Sequence, residues 1–237
     1  MSAFLSPFEA MLDKLFLPAR VRAIDAGGDW SPERVEIEQS GFLDALAPDM
    51  ALPFAEVAAL WRAIGRRAAP LAIGKAMIGR SGRDPDTAQP VLLAAAISGA
   101  ADRVLDMTTA YAGERSQFGK PIGRQQAVQQ QLALMAEEVV AIRMAVQLAA
   151  DCDWPTAERA ALAKAVAAMH APHVASTAHA VHGAIGISAE HDLQLYTRRL
   201  HAWRLEEGGE TAWSIALGRA LLASDENALD WIRNVLF

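Results

Sequence analysis

Seven apolar residues, Val128, Leu132, Met135, Val139, Ile142, Val146 and Ala149, follow one another in alternating steps of four and three. A strand cannot place them on one face, because its faces repeat every two residues. An α-helix places all seven on one narrow stripe, and a period of 3.5 residues is the seam of helices that cross at shallow angles. A similar repeat precedes it at Leu93, Ile97, Val104, Thr108 and Tyr111. A third, alanine-rich pattern runs from about Thr156 to His182 with Leu162, Val166, Met169 and Val174; Pro172 inside it is expected to kink or interrupt the helix. A fourth begins near Ser188 and carries Leu193, Tyr196, Leu200 and Trp203. Gly208-Gly209 should end or bend it, with helix resuming through Trp213 to Leu222. Ser224 can cap a short final helix reaching Phe237. Four long helices with short connections pack as an antiparallel bundle.

The chain before this bundle is also helical in pattern. Ser31-Pro32-Glu33 reads as a helix start, with helices expected over 32–46 and 54–79 and a loop at 46–53. The polar run "RSGRDPDTAQP", 80–90, carries two prolines and is the best boundary in the chain. The expected organisation is all-α: an N-terminal helical domain over 1–80, a linker over 81–90, and the four-helix bundle over 91–237. A chain of 237 residues, 52% hydrophobic and rich in alanine, can bury a substantial core of closely packed helices. The net charge of −6 without a basic block argues against nucleic acid or an anionic membrane as the main partner. With Cys152 as the one cysteine, no internal disulfide can form. The first residues lack a basic segment, Asp13 and Lys14 break their apolar run, and no run approaches the ~18 residues that span a bilayer. A soluble, cytoplasmic chain is expected.

Three connections carry more chemistry than a turn needs. In "GERSQFGKPI", 113–122, Arg115 offers a planar fork of donors suited to phosphate oxygens, with Gln117 and a ring, Phe118, beside it. The alternative is an ordinary loop whose Phe118 plugs a core and whose Arg115 is solvated. In "HAVHGAIGISAE", 179–190, Gly183 and Gly186 allow close approach of a ligand or backbone, or simply cap a helix. In "RLEEGGET", 204–211, Glu206 and Glu207 meet two glycines at a helix break. A partly buried carboxylate there could act as a base; otherwise it is a solvated helix end. His170 and His173, like His179 and His182, are three apart and share helix faces, but no acidic companion stands at metal-site spacing, so no metal site is expected. No phosphate-binding loop, dinucleotide fingerprint or nucleophile elbow is present.

Taken together, the three connections resemble one family. Tyr111-x3-Arg115-x-Gln117-Phe118-Gly119-Lys120-Pro121-Ile122 is similar to the signature loop of acyl-CoA dehydrogenases. His182-Gly183-Ala184-Ile185-Gly186 resembles their "QxHGGxG" segment, and Arg198 followed nine positions later by Glu207-Gly208 resembles "RDA…YEG". Order and spacing agree across 90–222, and "ALWRAIGRRAAPLAIG" (59–74) resembles a helix of the family's N-terminal domain. The resemblance implies that family's C-terminal four-helix bundle and a small helical N-terminal domain, with 80–90 standing where a central β-domain is usual. It implies FAD-dependent α,β-dehydrogenation of a fatty or related acyl-CoA thioester. Glu207 would be the base. Arg115, Gln117 and Phe118 would contact the FAD of a neighbouring subunit, with Gly183 and Gly186 also in the cofactor site. Ala180 replaces the usual glutamine, Ala184 the second glycine and Glu206 the tyrosine before the base, while Pro90 sits where an arginine near the substrate is common. Without a β-domain a homo-oligomer would leave the flavin ring exposed, so a full-length partner subunit is expected. The alternative reading is a non-catalytic structural or interaction subunit of this fold that has lost FAD.

Overall fold

A computed structural model of the chain describes residues 4–50 and 52–236. Eleven α-helices are found among them. The first five are α1 (Leu5–Leu15), α2 (Pro18–Asp25), α3 (Ser31–Gln39), α4 (Phe54–Arg66) and α5 (Ala72–Gly79). Then come α6 (Ala88–Glu114), a short hairpin of β1 (Ser116–Gln117) and β2 (Lys120–Pro121), α7 (Gln126–Ala150) and α8 (Ala157–His182). The chain continues with α9 (Leu193–Trp203), α10 (Glu210–Leu222) and α11 (Ala228–Leu236). Phe237, the expected end of the last helix, lies outside the described residues. No helix of the described residues is long and apolar enough to cross a membrane.

The stripe on α7 faces inward as its spacing requires. Met135, Val139, Ile142 and Ala149 are fully buried, and Val128 and Leu132, near the helix start, are half-buried. α6, α7 and α8 pack on one another, α9 lies against α6 and α8, and α10 against α8, so the fourth pattern is a broken helix closing the bundle. The core is continuous across 80–87: Phe8, Trp61 and Ile64 belong to the same buried cluster as Ile97, Val139 and Val174.

Two glycines explain the close fit of α4 on α6. A Cβ added to Gly65 would fall 1.8 Å from the Ala96 carbonyl oxygen, and one on Gly99 would fall 1.9 Å from that of Arg62. The two backbones are thus in contact, which any side chain would prevent. Beside this crossing the buried Asp102 of α6 accepts from Arg62 Nε of α4 at 2.8 Å and from Arg143 Nη2 of α7 at 2.5 Å. One carboxylate so joins three helices, with a cation on each side to offset its desolvation. The 80–87 connection is pinned as well: Arg83 pairs with Asp153 at 3.1 Å and lies 4.2 Å above the Trp154 ring.

Several boundaries differ from the sequence reading, each for a local reason. The helix expected over 32–46 stops at Gln39, because Gly41 takes a left-handed conformation (φ +79°) and a 3-10 turn follows over Phe42–Asp44. The helix expected over 54–79 breaks between Arg66 and Ala72, where Ala68 has φ +51° and Pro70 cannot donate a backbone hydrogen bond. Pro172 does not interrupt α8, which is helical from Ala157 to His182. The lost backbone bond and the ring clash, about 3 kcal/mol or more in a helix interior, are outweighed by packing on α6, α7 and α10. Capping is by Thr156 at α8, whose hydroxyl accepts from Arg159 N, by Asp29 rather than Ser31 at α3, and by Asn227 rather than Ser224 at α11.

Candidate functional site

The signature connection is a two-residue hairpin. Ser116 pairs with Pro121 and Gln117 with Lys120, and the two turn residues Phe118 and Gly119 both have positive φ, +52° and +77°. This is the turn whose twist suits a tight hairpin, and glycine takes it freely whereas phenylalanine is strained in it. The hairpin pairing holds Phe118 at the tip despite this strain, 94% exposed, so it plugs no core. Arg115 and Gln117 are exposed beside it, and among the described residues the Arg115 guanidinium has no ion-pair partner. The backbone of Arg115 is fixed: its N–H donates to Tyr111 O and its carbonyl accepts from Ile122 N, both at 2.8 Å.

The hairpin faces the end of α8 across a pocket of about 550 Å³ lined by Tyr111, Arg115, Gln117, His182, Gly183 and their neighbours. Two of the three connections therefore form one site. Gly183 ends α8 with φ +63° and is part of the wall; Gly186 is not, being buried where a Cβ would meet His182 Cβ at 2.8 Å. The Tyr111 ring stacks on His182 at 4.4 Å, and His191 packs edge-on to His182 at 5.0 Å. His182 Nδ1 donates to Ala178 O at 2.8 Å, which leaves Nε2 buried with no partner and able to accept. Burial keeps the His182 pKa below the ordinary histidine value, against the pull of the Ala178 bond and with help from the nearby His191 and His179. The wall thus offers an unpaired guanidinium, an amide and an orphaned acceptor, with the exposed Phe118 ring at the hairpin tip outside the lining. This donor set fits a phosphate-bearing, aromatic cofactor such as FAD.

Glu207 lies elsewhere. It sits at the start of α6, in a smaller pocket of about 410 Å³ with Pro85, Asp86, Gln89, Pro90 and Trp213. Its backbone is left-handed (φ +59°), between the last turn after α9 and Gly208 (φ +95°). Gln89 Nε2 donates to its carboxylate, and Trp213 Nε1 donates to its carbonyl at 2.8 Å. The expected partial burial is not found: Glu207 is exposed, and Glu206, its neighbour, is tied to Lys75 at 2.5 Å. Arg198 lies with Lys75 and Glu206 along a third pocket, apart from Glu207. Gln89 and Arg115 stand at opposite ends of the 27-residue α6, roughly 40 Å apart at 1.5 Å per residue. The two pockets cannot line one site within a single chain.

Sequence reasoning missed the residue that shapes the Glu207 turn. Lys164 of α8 is fully buried, and its Nζ donates to the carbonyls of Arg204 and Gly208, both at 2.8 Å. Burial lowers its pKa from 10.5 to about 8, although Glu206 and Glu207 pull the other way. A signal was available: Lys164 is the lone charge between Arg159 and His170 in an otherwise alanine-dominated helix. The structure adds to the reading of the histidines a residue that local spacing does not reach. His170 and His173 do have an acidic companion, Glu138 of α7, with ligand atoms of all three within 4.8 Å of one another. It is 35 residues from His173 in sequence, beyond any local spacing rule.

These features agree with what is known of other proteins. The family model described as acyl-CoA dehydrogenase, C-terminal domain, matches residues 89–222, and the chain belongs to the acyl-CoA dehydrogenase family. The acyl-CoA dehydrogenase IpdE2 of Mycolicibacterium smegmatis is 42% identical over 116 residues, which are 49% of this chain and 36% of that protein. FadE34 of Mycobacterium tuberculosis is 33% identical over 201 residues, 83% of this chain and 27% of its own. The chain thus spans about a third of the length of these curated relatives. Among solved structures, a chain of the ChsE4–ChsE5 complex from Mycobacterium tuberculosis superposes with a TM-score of 0.80 at 18% identity, covering 94% of this chain and 97% of that one. Butyryl-CoA dehydrogenase from Megasphaera elsdenii superposes with a TM-score of 0.56 at 30% identity over 58% of this chain and 37% of its own.

Proposed function

We propose that the chain is one subunit of a flavin-dependent acyl-CoA dehydrogenase that becomes complete against a full-length subunit bearing the β-domain. The observation that carries this reading is the separation of the two pockets by the length of α6. A hairpin built to project an unpaired Arg115 and an exposed Phe118 contributes to a site on another chain, while Glu207 serves a site at the opposite end. α10 supports an assembly too, since it buries none of its residues and leaves Ile215 and Leu222 exposed. The ChsE4–ChsE5 match covers nearly all of this chain and of one chain of that two-protein complex.

Arg115, Gln117, Phe118 and His182 Nε2 would hold FAD, which when bound supplies a two-electron acceptor for the β-hydrogen of the acyl group. The residues of this chain act on the proton. The thioester acidifies its α-carbon, and the Glu207 carboxylate accepts that proton. Gln89 orients the carboxylate from one side, while Trp213 and Lys164 fix the backbone turn that carries it. Because Glu207 is exposed here, exclusion of water falls to the partner that covers this end.

Absorption spectra of the purified chain, alone and co-expressed with full-length family members, test the proposal. Flavin bands are expected with a partner, and their absence under both conditions refutes it. The second reading, a non-catalytic subunit, is favoured by Ala180, Ala184 and the exposure of Glu207. Glu207→Gln in the complex separates the two: a loss of turnover with flavin retained assigns the base, and unchanged turnover assigns catalysis to the partner.

A further inference from the structure

The Glu138, His170 and His173 cluster lies away from both pockets. Nine residues of α8 separate His173 from His182, about 14 Å along the helix. Glu138 is half-buried on α7, His170 half-buried and His173 exposed on α8. One carboxylate oxygen and one ring nitrogen from each histidine lie within 4.8 Å of one another. His173 Nδ1 is already 3.1 Å from Glu138 Oε1, and His170 Nδ1 is buried with no hydrogen-bond partner.

We infer that these three side chains form a binding site for a divalent zinc-like cation that braces α7 to α8. Two imidazoles and one carboxylate suit borderline metals such as zinc, whereas magnesium and calcium favour all-oxygen sites. In a tetrahedral zinc site the donor atoms stand about 3.3 Å apart, close to the 3.1 Å that already separates His173 Nδ1 from Glu138 Oε1, and the other separations need to close from 4.8 Å at most. Binding replaces the Glu138–His173 contact with two bonds to the metal. The three residues leave the fourth position to water. Neither Glu207 nor the hairpin pocket is involved, so the inference stands apart from the proposed dehydrogenation.

The test uses the full chain without an affinity tag, stripped by chelator, in calorimetric titrations with zinc chloride and with magnesium chloride. One zinc per chain with a micromolar dissociation constant is expected, with no heat of binding for magnesium. His173→Gln, at an exposed position, should keep the circular dichroism of the parent and weaken zinc by about tenfold or more. His170→Gln with His173→Gln should abolish the site. Absence of saturable zinc binding, or binding unchanged in the double variant, overturns the inference, since the zinc would then sit on other groups.

Discussion

Replacing Lys164 by methionine separates two large and opposed effects. The buried ammonium pays a desolvation cost: a folded-state pKa of about 8 against 10.5 unfolded corresponds to about 3 kcal/mol of destabilisation wherever both states are protonated. Methionine removes that cost. It also strands the carbonyls of Arg204 and Gly208, at about 1–3 kcal/mol each. At pH 7 the two effects nearly cancel, so a single stability value decides nothing. The pH dependence decides. Below pH 8 Lys164 is charged in both states. Between about pH 8 and 10.5 the folded chain has released the proton while the unfolded chain keeps it, so stability rises with pH by about 1.4 kcal/mol per pH unit. Guanidinium unfolding followed by circular dichroism, on parent and Lys164→Met from pH 7 to 10.5, cancels every other titrating group in the difference. The parent should gain about 3 kcal/mol on the variant across that range. A difference constant to within about 0.5 kcal/mol refutes the buried charge and its hold on the Glu207 turn.

Further outcomes follow from the same geometry. Gly99→Ala should destabilise the chain by about 3 kcal/mol or more in thermal melts, because the new methyl overlaps the Arg62 carbonyl and forces α4 off α6. Phe118→Gly should raise stability by about 1 kcal/mol through relief of the left-handed backbone, while weakening flavin retention in the assembled complex. Glu207→Gln should leave the unfolding free energy of the isolated chain within about 0.5 kcal/mol of the parent, since the carboxylate is exposed, and abolish turnover of the complex.

The bundle was legible because its information is local and periodic. The 4-3 stripe on α7 and the Gly208-Gly209 break each act within a few residues, and each is found where the sequence places it. The helices α1 and α2, eleven and eight residues long, are too short to carry a stripe like that of α7. Pro172 does not interrupt α8, because tertiary packing on three helices overrides one missing hydrogen bond. For the site, the signature residues could be named from their order and spacing, and the hairpin and the end of α8 do meet. The distance between that pocket and Glu207 could not be read, because it depends on the length and direction of α6. Lys164, Gln89 and Glu138 escape for the same reason: each acts on residues far away in the chain, 32 positions in the nearest case, Glu138 to His170.

The central claim is that the flavin site is shared between this chain and a partner. Native mass spectrometry of the chain, alone and co-purified with a full-length acyl-CoA dehydrogenase subunit, measures this directly. The account predicts non-covalent FAD in the mixed complex, none on the chain alone, and loss of FAD from the complex when Arg115 and Phe118 are both replaced by alanine. Full FAD occupancy on the isolated chain, or a mixed complex that keeps its FAD through the double replacement, would contradict it.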